Sequence, residues 1–288
     1  MNDLKSRAEK YAGTGKYKSA IKVYDSLLIL SPNNTDAYYK RGDAKAELGE
    51  FESAIKDYSK AIEIEPGLTI ALLKRGIAKT ELSKDKDAIK DFTTAIAQNP
   101  KDIPTLSDIY YYRGITEFYL GDYKNALPDL SKAIELVPSE SAGAYYYRGE
   151  IFTQMKQYDK AAKQYSDAIA LFASFPLSYE HRGVVYMKLG KTTDAINDFN
   201  KAIQLDPDTA SAYYNRGQAY YNLDQDSAAI RDYNKSIDLS PDFAEAYLSR
   251  GYAKLSLGDN AGACKDWSKA KSLGNKDAIS VYAENCGD

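Results

Sequence analysis

One histidine, His181, and two cysteines, Cys264 and Cys286, are the whole stock of imidazole and thiol chemistry in the 288-residue chain. A Ser-His-Asp or Cys-His relay would have to run through His181. That residue stands beside Arg182 with no cysteine or paired carboxylate at a suggestive spacing, so it reads as an ordinary surface or groove residue. Two cysteines without a histidine nearby do not make a zinc site. They read as two small, partly buried thiols, with a disulfide between them as the alternative. The glycines are singletons, so no loop is built to cradle phosphate. Acidic pairs such as Asp85/Asp87 fall at turns and read as solvated. The expectation is a chain with no catalytic residue, no metal and no cofactor.

The charges that do recur form two matched rows. Arginine stands at positions 7, 41, 75, 113, 148, 182, 216 and 250, and aspartate at 57, 91, 129, 198, 232 and 266. Val23 and Gln164 occupy the two places where the aspartate row is broken. Two antiparallel helices that turn midway between the rows bring each arginine level with the aspartate of its own hairpin. An arginine that loses water there must be paired, because an unpaired buried charge is expensive. The pairs expected are Arg41–Asp57, Arg75–Asp91, Arg113–Asp129, Arg182–Asp198, Arg216–Asp232 and Arg250–Asp266. The aspartates neutralise the arginines in place, which favours a ladder that fixes hairpin register over a row of guanidinium groups that binds anions.

The elements behind the rows are a repeat. Glycines at 42, 76, 114, 149, 183, 217 and 251 are separated by 34, 38, 35, 34, 34 and 34 residues. A period this regular means one supersecondary unit stacked many times. Within residues 35–68, Tyr38, Arg41, Gly42 and Lys45 share one side of a first helix. Gly49 can take the left-handed conformation that stops it. Phe51, Ala54, Ile55, Tyr58, Ala61 and Ile62 then recur at the spacing of a second amphipathic helix, and Pro66 closes the unit.

With Ala at the twentieth place of every unit and proline near most unit ends, the chain resembles the tetratricopeptide repeat. It departs from that pattern in carrying arginine where leucine is usual, and in Ala173, which stands where the fifth unit's proline belongs. The frame runs 1–34, 35–68, 69–102, 107–140, 142–175, 176–209, 210–243 and 244–277, with 278–288 as a capping tail. The four residues inserted before the fourth unit, Ile103 to Leu106, read as an early helix start, since proline suits a first helical turn. The resemblance implies an all-α, right-handed α-solenoid of antiparallel helix pairs. It also implies a scaffold or adaptor that binds a peptide or protein segment in a concave groove. A self-associating assembly protein, or a regulatory repeat region of a larger enzyme, is the alternative.

In that family the first helices line the groove, and its residues fall at the second, fifth, ninth and twelfth places. The candidate peptide-binding residues are therefore Tyr39, Leu73, Ile77, Tyr111, Ile115, Tyr146, Tyr214, Tyr221 and Tyr252. They are expected to be freer than Tyr38, Tyr145, Tyr213 and Tyr247, which hold the packed fourth place. Relatives that clamp acidic chaperone tails carry lysine and asparagine at the fifth and ninth places, and no unit here has that pair. Tyrosine offers broad apolar area with a polar tip, which suits peptide recognition.

Composition narrows the partner. Lysine and arginine number 38 against 41 acidic residues, a formal charge of −3. No basic stripe of the kind nucleic acid requires is present. No apolar run reaches the ~20 residues of a membrane span. With no signal-peptide core at the start, the expectation is a cytoplasmic protein; a trimmed N-terminus would be compatible with export.

Overall fold

The computed structural model describes residues 2–287. Among them there are seventeen α-helices, one short 3-10 turn at Pro138–Glu140, and no strand. The chain divides into two compact units, Met1–Tyr147 and Arg148–Asp288.

The first unit holds α1 (Asn2–Gly13), α2 (Tyr17–Leu30), α3 (Thr35–Ala46), α4 (Phe51–Ile64), α5 (Thr69–Thr80), α6 (Asp85–Ala97), α7 (Ile103–Tyr119) and α8 (Tyr123–Leu136). It also takes the start of α9 (Ala142–Gln154), up to Tyr147. The second unit holds the rest of α9 and α10 (Tyr158–Leu171), α11 (Pro176–Lys188), α12 (Thr192–Leu205), α13 (Ala210–Tyr221) and α14 (Asp226–Leu239). It ends with α15 (Ala244–Ser256), α16 (Asn260–Ser272) and α17 (Lys276–Cys286). The all-α fold is that of an α-solenoid, and within each unit successive hairpins pack on one another.

Local chemistry sets the helix ends. Side chains of Asn34, Asp102, Asp122, Asp259 and Asn275 accept from backbone N–H groups three residues on, capping α3, α7, α8, α16 and α17. Pro104 sits in the first turn of α7, so the inserted residues do extend that helix. Between the two helices of a hairpin the chain passes through a left-handed residue: Gly49, Gly121, Gly190 and Gly258 serve there, but so do Ser83, Lys156 and Asp224 at φ 56, 57 and 56°.

The small residue of each first helix lets a ring come close. A β-carbon at Gly42 would lie 2.7 Å from the Tyr58 ring, at Gly183 2.6 Å from Phe199, and at Gly251 2.3 Å from Trp267. Tyr58, Tyr165, Phe199, Tyr233 and Trp267 are accordingly among the most buried side chains. The core is thus a chain of local clusters, each made by one ring and the alanines and glycines around it.

The arginine–aspartate ladder is present at all six expected places, and each contact is a two-pronged fork. Arg182 donates from Nε and Nη2 to the two Asp198 oxygens at 2.8 and 2.7 Å, and Arg250 meets Asp266 at 2.8 and 2.6 Å. Arg41–Asp57, Arg75–Asp91, Arg113–Asp129 and Arg216–Asp232 repeat the geometry. The third arm, Nη1, reaches back to the second helix of the preceding hairpin: Arg41 to Asp25, Arg75 to Ser59, Arg182 to Ser166, Arg216 to Asn200. One guanidinium therefore fixes the register within a hairpin and between neighbouring hairpins.

Cys264 and Cys286 are joined in a disulfide, in place of the two separate thiols expected. The bond ties α17 to α16 and so holds the last helix over the Trp267 cluster, where Val281 is buried and Tyr282 and Cys286 pack.

Candidate functional site

The candidate groove residues separate by their packing. Leu73, expected to be free in the groove, is instead 2% exposed and belongs to the core with Leu72, Phe92 and Ile109, so it offers almost no surface. Its side chain has no polar tip to hold it at the surface, and the Phe92 ring gives it an apolar seat. Ile77 and Ile115 are half-buried and share a cavity of about 470 Å³ with Tyr112, Tyr119 and Tyr147. Ile77 also borders a second cavity of about 460 Å³ with Asp43, Phe51 and Lys74. Tyr111 lines a third of about 250 Å³, where its hydroxyl would sit 2.6 Å from a β-carbon at Gly143. Tyr39 and Tyr146 are half-buried, Tyr39 with its ring 6.2 Å from that of Tyr58.

In the second unit Tyr214, Tyr221 and Tyr252 come together around one cavity of about 480 Å³, with Gln218, Leu248 and Asp277. Tyr252 is 36% exposed and crosses the Trp267 ring edge to face. Tyr214 rests on Phe243, ring centres 4.9 Å apart.

The tyrosine doublets do not split into one packed and one free ring. Tyr38, Tyr145 and Tyr213 are half-buried, as are their neighbours Tyr39, Tyr146 and Tyr214; Tyr247 is also half-buried. Two contacts explain this. The fourth-place ring lies under the ladder guanidinium, with Arg41 5.4 Å from the Tyr38 ring, Arg216 5.5 Å from Tyr213 and Arg250 5.3 Å from Tyr247. The fifth-place rings of Tyr39 and Tyr214 lean on the buried tyrosines of their second helices, 6.2 and 6.0 Å away.

Two family models match, "TPR repeat" over residues 9–49, 149–190 and 183–224, and "Tetratricopeptide repeat" over 35–68 and 210–243, together more than half of the chain. The chain belongs to the tetratricopeptide-repeat family. Among solved structures it is similar to a chain of the APC/C hetero-tetramer Cut9–Hcn1, at 20% identity and a TM-score of 0.65. That likeness covers 98% of this tetratricopeptide-repeat chain but only 55% of the other, so the chain spans about half the length of that relative. It is also similar to the C-terminal part of a TPR repeat-containing protein from Cytophaga hutchinsonii, at 19% identity and TM-score 0.67, covering 84% of this chain and 98% of that one. YrrB, described as a TPR protein with an unusual peptide-binding site, is 22% identical with TM-score 0.54 over 66% of this chain and 95% of its own. Among curated proteins none matches the chain in sequence.

Within this tetratricopeptide-repeat scaffold the ninth places carry chemistry that sequence reasoning missed. The buried tyrosine of the second helix donates its hydroxyl to the ninth-place side chain: Tyr58 to Asp43 at 2.7 Å, Tyr233 to Gln218 at 2.6 Å, and Tyr165 to Glu150. Where the second-helix residue is Phe92, Leu130 or Phe199, the ninth place is Ile77, Ile115 or Val184. A buried hydroxyl needs an acceptor and a phenyl ring does not, so the pairing is legible in the sequence once the two places are set side by side.

His181 lies within bonding distance of the Glu150 carboxylate, which comes from the preceding repeat. The carboxylate raises the His181 pKa above its ordinary value, against the opposing effect of burial. Asn215 donates to Glu180 at 3.0 Å, extending the polar line along the first helices of the second unit. No set of three or more His, Cys, Asp and Glu among the described residues is placed to hold a metal ion. No helix of the described residues is long and apolar enough to cross a membrane.

Proposed function

We propose that this chain is a non-catalytic scaffold that holds a segment of a protein partner along the groove lined by its first helices. The family is one of protein-interaction scaffolds, and the gathering of Tyr214, Tyr221 and Tyr252 about one open cavity carries the finer reading. Amphipathic rings with a polar tip, on rigid helices, lose little entropy when a peptide covers them. The contact set is Tyr39, Ile77, Tyr111, Ile115, Tyr146, Tyr214, Tyr221 and Tyr252, without Leu73. The repeat count we assign is eight, in the frame 1–277, with 278–288 as the capping tail.

The test is a partner screen with the native chain, repeated with Tyr111→Ala/Tyr146→Ala and with Tyr214→Ala/Tyr221→Ala. Loss of partner capture by either pair, with helix content intact, supports the groove. Undiminished capture by both moves the binding site to another face. Sedimentation over a range of concentrations separates this reading from self-association, which requires an oligomer without any external peptide.

A second reading concerns compartment. The Cys264–Cys286 disulfide favours an oxidising environment over the reducing cytoplasm expected from the N-terminal sequence. Trapping free thiols in protein taken from its native cells decides between the two.

A further inference from the structure

We propose that the cavity between α5, α6, α7 and the start of α9 takes a cationic side chain, a lysine or arginine carried by the partner segment. This deepens the groove reading above and rests on it.

The cavity, about 470 Å³, joins two kinds of group that both attract positive charge. The first is aromatic. Tyr112, Tyr119 and Tyr147 line it, and Tyr119 is 69% exposed although its hydroxyl is bonded to that of Tyr147 at 3.1 Å. The Tyr119 and Tyr147 rings cross edge to face at 6.0 Å, and Phe118 buttresses Tyr147 from behind at 5.5 Å. The face of such a ring carries negative potential and binds an ammonium or guanidinium within about 6 Å.

The second is carboxylate. Glu81 and Asp85 line the same cavity, and neither is in a salt bridge among the described residues. The nearby Lys79 is already spent on Asp91 at 2.7 Å, and Arg75 on the same carboxylate. The potential is felt by the lining itself: the Tyr112 hydroxyl is raised by burial and then by Asp108 and Glu81, with no cation opposing. One cation, Lys74, stands on the far side, in the neighbouring cavity that Glu81 also borders.

A carboxylate ligand would meet two like charges here, and an apolar one would leave Glu81 and Asp85 to be desolvated without a partner, a cost that favours neither. A cationic side chain satisfies both groups at once. Ile77 and Ile115 form the apolar wall against which the methylene stem of a lysine or arginine can lie.

The experiment uses the full chain and a phage-displayed library of random peptides. Selected peptides are synthesised in three forms, native, with each lysine or arginine exchanged for the other, and with it replaced by uncharged norleucine. Binding is measured by calorimetry at low and high salt. Peptides with a required basic residue are expected. Their affinity should fall roughly tenfold or more on norleucine replacement, and by a similar factor in Glu81→Gln/Asp85→Asn. Tyr119→Leu, at an exposed position whose loss leaves the core intact, should weaken the same peptides, with helix content checked by circular dichroism. Selection of acidic or uncharged peptides, or basic peptides that bind the double variant as well as the native chain, overturns the cation site and leaves the groove standing. Failure to select any peptide overturns the groove reading itself.

Discussion

At the scale of single residues, the ladder arginine does more than its sequence suggests. The expected Arg–Asp pairs are all formed, but Nη1 of Arg41, Arg75, Arg182 and Arg216 also ties its hairpin to the one before it. The two halves of this clamp differ in burial, and so in energy. Asp198 has a side chain only 8% exposed, so Asp198→Ala leaves Arg182 with an uncompensated, largely buried charge and should destabilise by about 3 kcal/mol. Asp25 is 50% exposed, and Asp25→Ala should cost about 1 kcal/mol or less despite the same 2.7 Å contact with Arg41. Equal losses in thermal denaturation would mean the clamp is not asymmetric.

A second residue-scale prediction concerns Glu117. At this place other hairpins carry Lys45, Lys79 and Lys254, each bonded to its ladder aspartate at 2.7 to 2.8 Å. Glu117 instead faces Asp129, and burial followed by that carboxylate pushes its pKa from 4.5 up to about 7, with Arg113 pulling the other way. One of its oxygens is buried with no hydrogen-bond partner among the described residues. The raised folded value means that its proton is held longer in the folded chain than in the unfolded one. Stability is then lost as pH rises from about 4.5 to about 7, and the loss is constant above that. The full shift corresponds to about 3 kcal/mol at most. Glu117→Gln should remove this slope, and Glu117→Lys should raise stability at pH 8 by giving Asp129 a second cation beside Arg113, as Lys45 does for Asp57. The check is urea denaturation of the three proteins at pH 5 and pH 8; parallel behaviour would show that Glu117 is not strained.

At the scale of elements, the hairpin turn is the weak joint. A left-handed conformation costs an L-residue roughly 1–2 kcal/mol, and glycine escapes it. Ser83, Lys156 and Asp224 hold positions where other hairpins have glycine. Ser83→Gly and Lys156→Gly should each stabilise by about 0.5–1 kcal/mol once glycine's own unfolded-state entropy is subtracted. No change in denaturation midpoint would mean that these turns relax without strain. The last element is held by chemistry of a different kind. Reducing the Cys264–Cys286 disulfide, or making Cys286→Ser, should loosen α17 by up to about 3 kcal/mol, seen as faster amide exchange over residues 276–286. The sequence carried the helices, the early start of α7 and the ladder, because periodicity and spacing encode which face is buried. It did not carry the exposure of individual tyrosines, because that depends on what packs across from each ring. Leu73 had Phe92 opposite it, and Tyr38 had a guanidinium above it. The Tyr119–Tyr147 contact joins residues 28 apart whose meeting follows only from the packing of α7 against α9.

At the scale of the whole molecule, each unit presents the same plan: second helices supply buried rings, and first helices carry half-buried tyrosines beside open cavities. A scaffold of this kind gains function from which side chains it leaves uncovered, and its energy of binding should concentrate in a few of them. Hydrogen–deuterium exchange of the native chain with and without a selected peptide is the most direct test of where the partner lies. Protection confined to the first helices, above all α5, α7 and α13, is the result expected. Protection on the second helices, with α5, α7 and α13 unchanged, would contradict it.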